Sequence, residues 1–278
     1  MSKFHQSDII HFTNVTLKVR SLERVLKFYE GILGLKATHL SETKVSLSAD
    51  GNLPLINLIE DKSASSNSRH LGLYHFALLL PNRQTLAQFL LRLDETSYPL
   101  HGASDHGVSE ALYLQDPEGN GIEIYIDKDQ SEWPLKNGNI DMVSLMLDIS
   151  GVMCELGNAP ANGLPPETRI GHLHFHVASI KDAKHFYNDV IGFQTVMHYG
   201  DSALFVSDAG YHHHLGLNTW MPLKNNRKDN ETGLVAYGLS VPDKNTLITK
   251  LKDNRVPYDE IAGAIVFNDI LNQTIIVS

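Results

Sequence analysis

The stretch Ile170-Gly-His-Leu-His-Phe-His-Val177 determines how the rest of the chain is interpreted, because it alternates three histidines with apolar residues. Alternate residues of a β-strand share one face, so His172, His174 and His176 lie on one side of a predicted strand. Histidine is only moderately buried as a rule and needs partners when it is buried. Three histidines on one strand face therefore indicate either a polar face toward solvent or a functional site, and of His174 and His176 we expect at most one to touch a substrate.

Two further stretches supply residues of the same kind. Gly72-Leu-Tyr-His-Phe-Ala-Leu-Leu-Leu-Pro81 predicts a strand with His75 near its start, and Asp116-Pro-Glu-Gly-Asn-Gly-Ile-Glu-Ile-Tyr125 predicts a turn followed by a strand that contains Glu123. A glutamate in an apolar strand is costly to bury without a cation or hydrogen bonds. Two histidines and one carboxylate are the ligand set of non-haem Fe(II) oxygenases. The sequence thus raises the question of whether these side chains meet.

Composition limits the classes of protein to consider. The chain has 278 residues, which suggests about two domains, and a formal net charge of −9, which argues against nucleic acid and anionic membrane surfaces as partners. No apolar run approaches the ~18 residues that cross a bilayer, and the first residues carry no signal-peptide core. The single cysteine, Cys154, permits no internal disulfide. We expect a cytoplasmic protein.

A βαβββ pattern occurs four times along the chain. The first copy spans residues 9–60, with a helix that Ser21 begins and Gly34 ends. The second starts near Gly72, the third at Ile170 and the fourth at Gly233. The repeats predict an α+β fold of paired units.

The copies share short sequence phrases and are interrupted once. Phe28-Tyr29 of the first unit corresponds to Phe186-Tyr187 of the third. Residues 129–168 contain several turn signals and break the pattern, so we predict a first region at 9–128, a linker at 129–168 and a second region at 169–278.

At this point the chain resembles the vicinal oxygen chelate superfamily, which is also called the glyoxalase/bleomycin resistance/extradiol dioxygenase superfamily. Leu26-Lys-Phe-Tyr29, Leu33-Gly-Leu35 and the stretch from Asp116 to Tyr125 carry the resemblance. It implies four βαβββ units paired into two half-open mixed β-barrels, as in the extradiol ring-cleaving dioxygenases. Tyr74-His-Phe-Ala-Leu78 and Tyr211-His-His-His-Leu-Gly-Leu-Asn-Thr-Trp220 further resemble the bacillus-type catechol 2,3-dioxygenases.

The resemblance also implies roles for individual residues. In this family, the metal is held by a histidine from the first strand of each paired unit and by a glutamate from a last strand, positions that His75, His172 and Glu123 occupy. A catalytic tyrosine stands ten residues before the glutamate, at Tyr113. The acid–base histidine matches His213, within a predicted strand from His213 to Thr219. Three further histidines are expected near the metal ligands without binding the metal: His106, His174 and His214.

The distribution of these residues predicts an unusual pairing of units. By alignment of the repeats, Asn14 stands where the third unit has His172, Ala236 where the second has His75, and Ile276 where it has Glu123. Only the second and third units together supply two histidines and a carboxylate. We therefore predict that residues 70–128 and 169–220 form the metal barrel and that the outer units form a structural one.

The resemblance implies an enzyme of aromatic catabolism that inserts O2 into a catechol-type aromatic diol at Fe(II), with Mn, Zn or Ni as alternative metals. The sequence leaves the oligomeric state open, with a homo-oligomer as one alternative. Two other functions remain open at this point. One is a glyoxalase-like lyase or thiol transferase, in which a glutamate often replaces the histidine at His213 or His214. The other is a metal-free protein that sequesters a small molecule, which would be favoured if His75, His172 and Glu123 were too far apart.

Overall fold

Two mixed β-sheets form the framework of the fold in the computed structural model, which describes residues 3–66, 70–157 and 163–278. Part of the predicted linker, residues 158–162, lies outside these ranges. No helix within them is long and apolar enough to cross a lipid bilayer.

The first two units follow the predicted order of elements. Ser21 and Asn82 begin the two helices by accepting hydrogen bonds from the backbone N–H groups of Arg24 and Thr85. The first helix ends at Tyr29, earlier than predicted. The elements are β1 (His11–Val19), α1 (Leu22–Tyr29), β2 (Lys36–Ser41), β3 (Lys44–Ser48), β4 (Pro54–Glu60), β5 (Gly72–Leu79), α2 (Arg83–Thr96), β6 (Gly102–Asp105), β7 (Ser109–Gln115) and β8 (Gly121–Asp127).

The stretch predicted as a linker contains short regular elements. A 3-10 turn at Gln130–Glu132 precedes a hairpin, and the strand after it pairs with β6. The elements are β9 (Leu135–Lys136), β10 (Asn139–Ile140), β11 (Leu145–Met146) and α3 (Ile149–Cys154). This part of the chain therefore extends a sheet instead of only joining two regions.

The last two units repeat the architecture. Ser179 accepts a hydrogen bond from the N–H of Asp182 to begin the helix, and Gly192 ends it in a left-handed conformation with φ of 112°. The predicted strand from His213 to Thr219 is shorter than expected, because it begins only at Leu215. The elements are β12 (Arg169–His176), α4 (Ile180–Lys184) with a π-helical continuation (His185–Ile191), β13 (Gln194–Tyr199), β14 (Ala203–Ser207), β15 (Leu215–Asn218), β16 (Gly233–Ser240), α5 (Lys244–Asp253), β17 (Tyr258–Ile261), β18 (Ala264–Asn268) and β19 (Thr274–Val277).

The order of strands shows which units share a sheet. The eight-stranded sheet has the order β17-β18-β19-β16-β1-β4-β3-β2, so it combines the fourth and first units. The nine-stranded sheet has the order β11-β6-β7-β8-β5-β12-β15-β14-β13 and combines the second and third. The nine-stranded sheet curls into a half-open barrel, and its edge strand β13 approaches the hairpin strand β10.

A shared apolar core and two buried carboxylates connect the sheets. The Tyr29 hydroxyl of α1 donates to Asp116, in the turn before β8, at 2.8 Å. The Tyr187 hydroxyl donates to Asp269, in the turn before β19, at 2.9 Å. The turn carboxylates also accept backbone N–H groups, so both are satisfied despite their burial. Each helix tyrosine thus ties one sheet to a turn of the other.

Candidate metal centre

Three neighbouring strands place His75, Glu123 and His172 on one concave face. Ala77 of β5 is paired with Glu123 of β8 on one side and with His172 of β12 on the other. His75 lies two residues before Ala77 and so projects to the same face. Because alanine adds only a methyl group between the two longer side chains, their polar ends can approach each other.

The polar atoms of this group converge. Glu123 Oε2 lies 3.0 Å from His75 Nε2 and 3.2 Å from His172 Nε2. One nitrogen or oxygen atom from each residue lies within 4.8 Å of the other two. All three side chains are buried, with exposed fractions of 6%, 3% and 1% in chain order. Each residue therefore offers one ligand atom to a common point.

The hydrogen bonding of the group is incomplete without a further partner. Within the described ranges, His75 Nε2 forms no hydrogen bond even though a Glu123 oxygen is close to it, and His172 Nδ1 forms none either. Buried polar atoms without partners are rare. A ring nitrogen without a hydrogen-bond partner can instead be satisfied by donating its lone pair to a cation. The donor set of two imidazoles and a carboxylate fits a divalent transition metal.

The electrostatics give the ligand atoms the protonation states that metal binding needs. Burial alone would raise the pKa of Glu123, but the adjacent His172 and His75 outweigh it and hold the pKa well below its usual range. Burial lowers the pKa of His172 by more than Glu123 raises it. The carboxylate is therefore ionised and the His172 ring neutral at neutral pH, which are the forms that bind metals.

Tyr113 and His106 lie beside this group. Tyr113 of β7 is paired with Glu123, and its ring centre lies 5.8 Å from that of His75. His106 Nδ1 lies 2.8 Å from the Val143 carbonyl, which can only accept, so Nδ1 carries the proton. In a neutral ring Nε2 then accepts, and the Tyr113 hydroxyl donates to it at 2.6 Å. Burial and the Glu123 carboxylate raise the pKa of Tyr113 well above its usual value, so the hydroxyl keeps its proton.

Within the run His212-His213-His214, the side chains of His213 and His214 point to opposite sides of the backbone. The His213 ring lies 4.1 Å from the His172 ring and lines the same cavity. The adjacent His214 points away: its Nε2 bonds the Phe4 carbonyl at 2.9 Å and its ring stacks on Phe193. Of the two residues, His213 alone is a cavity residue, and His214 is not placed near the metal ligands.

His174 and His176 both line the cavity and share one partner. The amide of Asn218 donates to His174 Nε2 at 2.9 Å, and its oxygen lies 2.7 Å from His176 Nδ1. A Cβ atom on Gly216 would lie 2.8 Å from the His174 ring, so only glycine leaves room for the ring. The sequence did not identify Asn218 as a site residue, because its contact with both histidines depends on the pairing of β15 with β12, which sets Asn218 beside His176.

The cavity above the three candidate ligands has a volume of about 720 Å³ and opens to solvent. Its wall combines the polar residues above with apolar and aromatic side chains that the sequence did not identify as site residues: Tyr74, Met197, Phe205, Trp220 and Met221. Tyr74 and Trp220 are 43% and 45% exposed and form the rim. A cavity of this size accommodates a substituted aromatic ring.

Comparison with known proteins agrees with this geometry. Residues 9–124 match the Glyoxalase/Bleomycin resistance protein/Dioxygenase superfamily. A catechol-2,3-dioxygenase of Bacillus subtilis is 43% identical over 263 residues, which cover 93% of this chain and 90% of that protein.

Two solved structures share the fold at low sequence identity. A putative dioxygenase from Bacillus subtilis aligns with a TM-score of 0.66 at 13% identity and covers 97% of this chain and 85% of its own. Glyoxalase I from Zea mays aligns with a TM-score of 0.57 at 13% identity and covers 96% and 92%. At such identities the likeness concerns the fold alone.

Proposed function

The chain belongs to the glyoxalase/bleomycin resistance protein/dioxygenase superfamily, and from this premise we propose that it is an extradiol dioxygenase that cleaves a catechol-type aromatic diol with O2. The chain is a homologue of a catechol-2,3-dioxygenase along nearly its whole length. The observation that carries the proposal is the buried convergence of His75, Glu123 and His172 beneath a cavity wide enough for an aromatic ring.

In this proposal His75, Glu123 and His172 hold Fe(II). When bound, Fe(II) on two histidines and one carboxylate leaves coordination positions open and supplies the redox chemistry with O2 that ring cleavage requires. Mn, Zn and Ni bind the same nitrogen and oxygen donors, so metal analysis of protein purified without oxygen is the direct test of identity.

His213 is the proposed acid–base residue. Burial, with the neighbouring His172 and His212, lowers the pKa of His213 well below its usual value. The neutral ring lines the cavity and can take a proton from a diol hydroxyl and return it later to the product. Tyr113, on the other side of Glu123, positions the diol through its hydroxyl oxygen while its proton is held by His106.

The apolar side chains of the cavity wall have a separate role in substrate binding. Phe205 packs edge to face against His213, with 5.2 Å between the ring centres, and Met197 lies on the same side of the cavity. These side chains hold the aromatic ring of the diol and exclude water from the reacting carbons. Binding of the ring and transfer of the proton therefore fall to different side chains.

The two other functions have less support. The likeness to glyoxalase I is a likeness of fold, and within the described residues the convergent group contains one carboxylate with no glutamate at His213 or His214. A metal-free binding protein has no need for a buried His75 Nε2 that lacks a hydrogen-bond partner among the residues that the structure describes. These observations favour oxygen chemistry.

The test is reconstitution with Fe(II) under nitrogen, addition of catechol or an alkylated catechol, and admission of O2. A yellow ring-opened semialdehyde should form with O2 uptake. Protein that binds iron through these residues and turns over no catechol would overturn the proposal.

A further inference from the structure

A buried polar chain lies behind His213, on the side away from the cavity. His213 Nδ1 lies 2.8 Å from His212 Nδ1, and His212 Nε2 lies 2.8 Å from Asp127 Oδ1. The Tyr211 hydroxyl also donates to Asp127 Oδ1, at 2.9 Å. His212 is fully buried and Asp127 reaches the protein surface only in part.

Strand β8, which carries Glu123, also carries Asp127, the last residue of this hydrogen-bonded series. Glu123, Tyr125 and Asp127 are alternate residues of β8 and so share one face. The Tyr125 hydroxyl is hydrogen-bonded to the Tyr211 hydroxyl at 2.7 Å. This contact holds Tyr211 in place, and Tyr211 in turn donates to Asp127. One strand face thus supplies both a candidate metal ligand and the carboxylate behind His213.

The donor and the acceptor of each of these hydrogen bonds can be assigned one after another, starting from Asp127. A carboxylate only accepts, so His212 Nε2 carries a proton and donates it to Asp127. A neutral His212 has no second ring proton, so its Nδ1 accepts. His213 Nδ1 must then carry the proton of this contact, and His213 Nε2 is left without one.

We propose that Asp127 and His212 are positioning residues that fix the tautomer of His213, so that its unprotonated Nε2 faces the cavity. This inference rests on the proposed function for its catalytic meaning, since a base must present a bare nitrogen to the diol. We call Asp127, His212 and His213 the His212 relay. Neither Asp127 nor His212 touches the substrate.

Aromatic packing holds the relay in one geometry. The His212 ring lies 4.0 Å from that of Tyr211 and 5.3 Å from that of Trp133. Trp133 is itself fixed, because its ring N–H donates to the Lys128 carbonyl at 3.0 Å. His212 therefore has no space in which to flip its ring and exchange its two nitrogens.

The tautomer is directly measurable. Long-range 1H–15N correlation spectra of the metal-free full chain, labelled with 15N-histidine, distinguish protonated from bare ring nitrogens, and loss of signals in His213→Asn assigns the residue. The wild-type protein should show His213 protonated at Nδ1 and bare at Nε2. A wild-type His213 protonated at Nε2 would overturn the relay, whether or not any catechol is turned over.

Two matched variants separate the relay from simple packing. An asparagine at 212 can place an amide oxygen near the lost Nδ1, whereas a leucine of the same shape cannot accept a hydrogen bond. His212→Leu should shift His213 toward the Nε2–H form and lower kcat by roughly 10²-fold, within the worth of general base catalysis, with KM and metal content unchanged. His212→Asn should retain the wild-type tautomer and most of kcat.

His214 provides the control for disturbance of a buried histidine. His214→Leu also removes two hydrogen bonds of a buried histidine, to Phe4 and from Asp208, but lies outside the cavity. It should leave the His213 tautomer and kcat unchanged. Equal losses of kcat in His212→Leu, His212→Asn and His214→Leu, with no change of tautomer, would make the relay structural and overturn the inference.

Discussion

The eight-stranded and nine-stranded sheets pair corresponding strands in the same register, yet among the described residues only the nine-stranded sheet carries the convergent group of candidate ligands. Ala77 of β5 faces one residue of β12 and one of β8, and Gly238 of β16 faces one of β1 and one of β19 in the same way. The equivalent positions of the two sheets are His172 and Asn14, His75 and Ala236, Glu123 and Ile276, and Tyr113 and Val266. Since both sheets form, the backbone geometry does not depend on the ligands.

The difference between the sheets extends to the position of His213, the proposed acid–base residue. Leu215 of β15 and Ile56 of β4 are equivalent because they pair with Leu173 and Val15. Counting back from them, His213 corresponds to Pro54, which cannot take part in proton transfer. All five positions of the candidate site have therefore changed together in the outer units.

The two sheets satisfy their polar groups in different ways. In the eight-stranded sheet Asn14 accepts from Asn57 at 3.3 Å and donates to Thr13 at 3.1 Å. In the nine-stranded sheet His75 Nε2 and His172 Nδ1 have no such partner within the described residues. The polar side chain at this position of the eight-stranded sheet is thus paired within the protein, whereas the nine-stranded sheet leaves two buried histidine nitrogens unpaired beside the candidate ligand group. This contrast is the basis for assigning function to one sheet only.

The largest effect is expected from Glu123→Ala. Loss of the carboxylate removes the only anion of the ligand group, so the protein should retain no iron by metal analysis and show no turnover. Ile276→Ala at the equivalent position of the other sheet should leave both unchanged. Full iron retention in Glu123→Ala would contradict the assignment of the metal site to this group of the nine-stranded sheet.

The next effect is expected from His213→Phe. Phenylalanine keeps an aromatic ring beside His172 but has no nitrogen, so turnover should fall roughly 10²–10⁴-fold while iron content and catechol binding persist. His214→Phe should lose much less, because His214 faces away from the cavity. If His213→Phe lost iron, His213 would instead be a fourth ligand, as in the lyase alternative.

The next effect concerns stability and involves the buried turn aspartate that both sheets have, Asp269 before β19 and Asp116 before β8. The free energy of unfolding should depend on pH because of these groups. Burial raises the pKa of Asp269 to about 6, so the folded protein holds a proton that the unfolded chain releases above its ordinary value of 3.8. The stability from this group is present below that value and is lost as pH rises through about 6. The loss should approach about 3 kcal/mol of unfolding free energy.

Asp269→Asn does not titrate, so its unfolding free energy relative to wild type should improve by about 2 kcal/mol between pH 4 and pH 6.5 in denaturant titrations, which is most of the full loss. Asp116→Asn should change in the same direction, because burial also raises the pKa of Asp116. A wild-type-minus-variant difference that is the same at both pH values would contradict the assignment.

The smallest effect is expected from Tyr113→Phe. The hydroxyl contributes one hydrogen bond, worth about 1.4 kcal/mol or roughly tenfold in kcat/KM, and iron binding should not change. Val266→Ala, the equivalent position in the other sheet, should leave kcat/KM unaffected. A loss of iron in Tyr113→Phe would show that the hydroxyl supports the ligand group rather than the substrate.

Strand periodicity accounts for most of what could be predicted. The alternation in β12 predicts a face with three histidines, and the structure places His172, His174 and His176 along the cavity. The caps at Ser21, Asn82 and Ser179 were predictable because a short polar side chain before an apolar helix accepts a backbone N–H. The pattern was less informative at strand ends, since His213 lies before β15 and not within it.

The sequence by itself determined the four repeats and the two units that keep polar residues, because these follow from local spacing and from comparison of the units. The family resemblance of the same sequence then indicated His75, His172 and Glu123 as candidate ligands. Only the tertiary structure decided that Asp127 stands behind His212, that Val143 from the predicted linker holds His106, and that His214 faces Phe4. These contacts join residues far apart in the chain. Local spacing carries no information about them, because they depend on how the sheet curls and on what packs behind it.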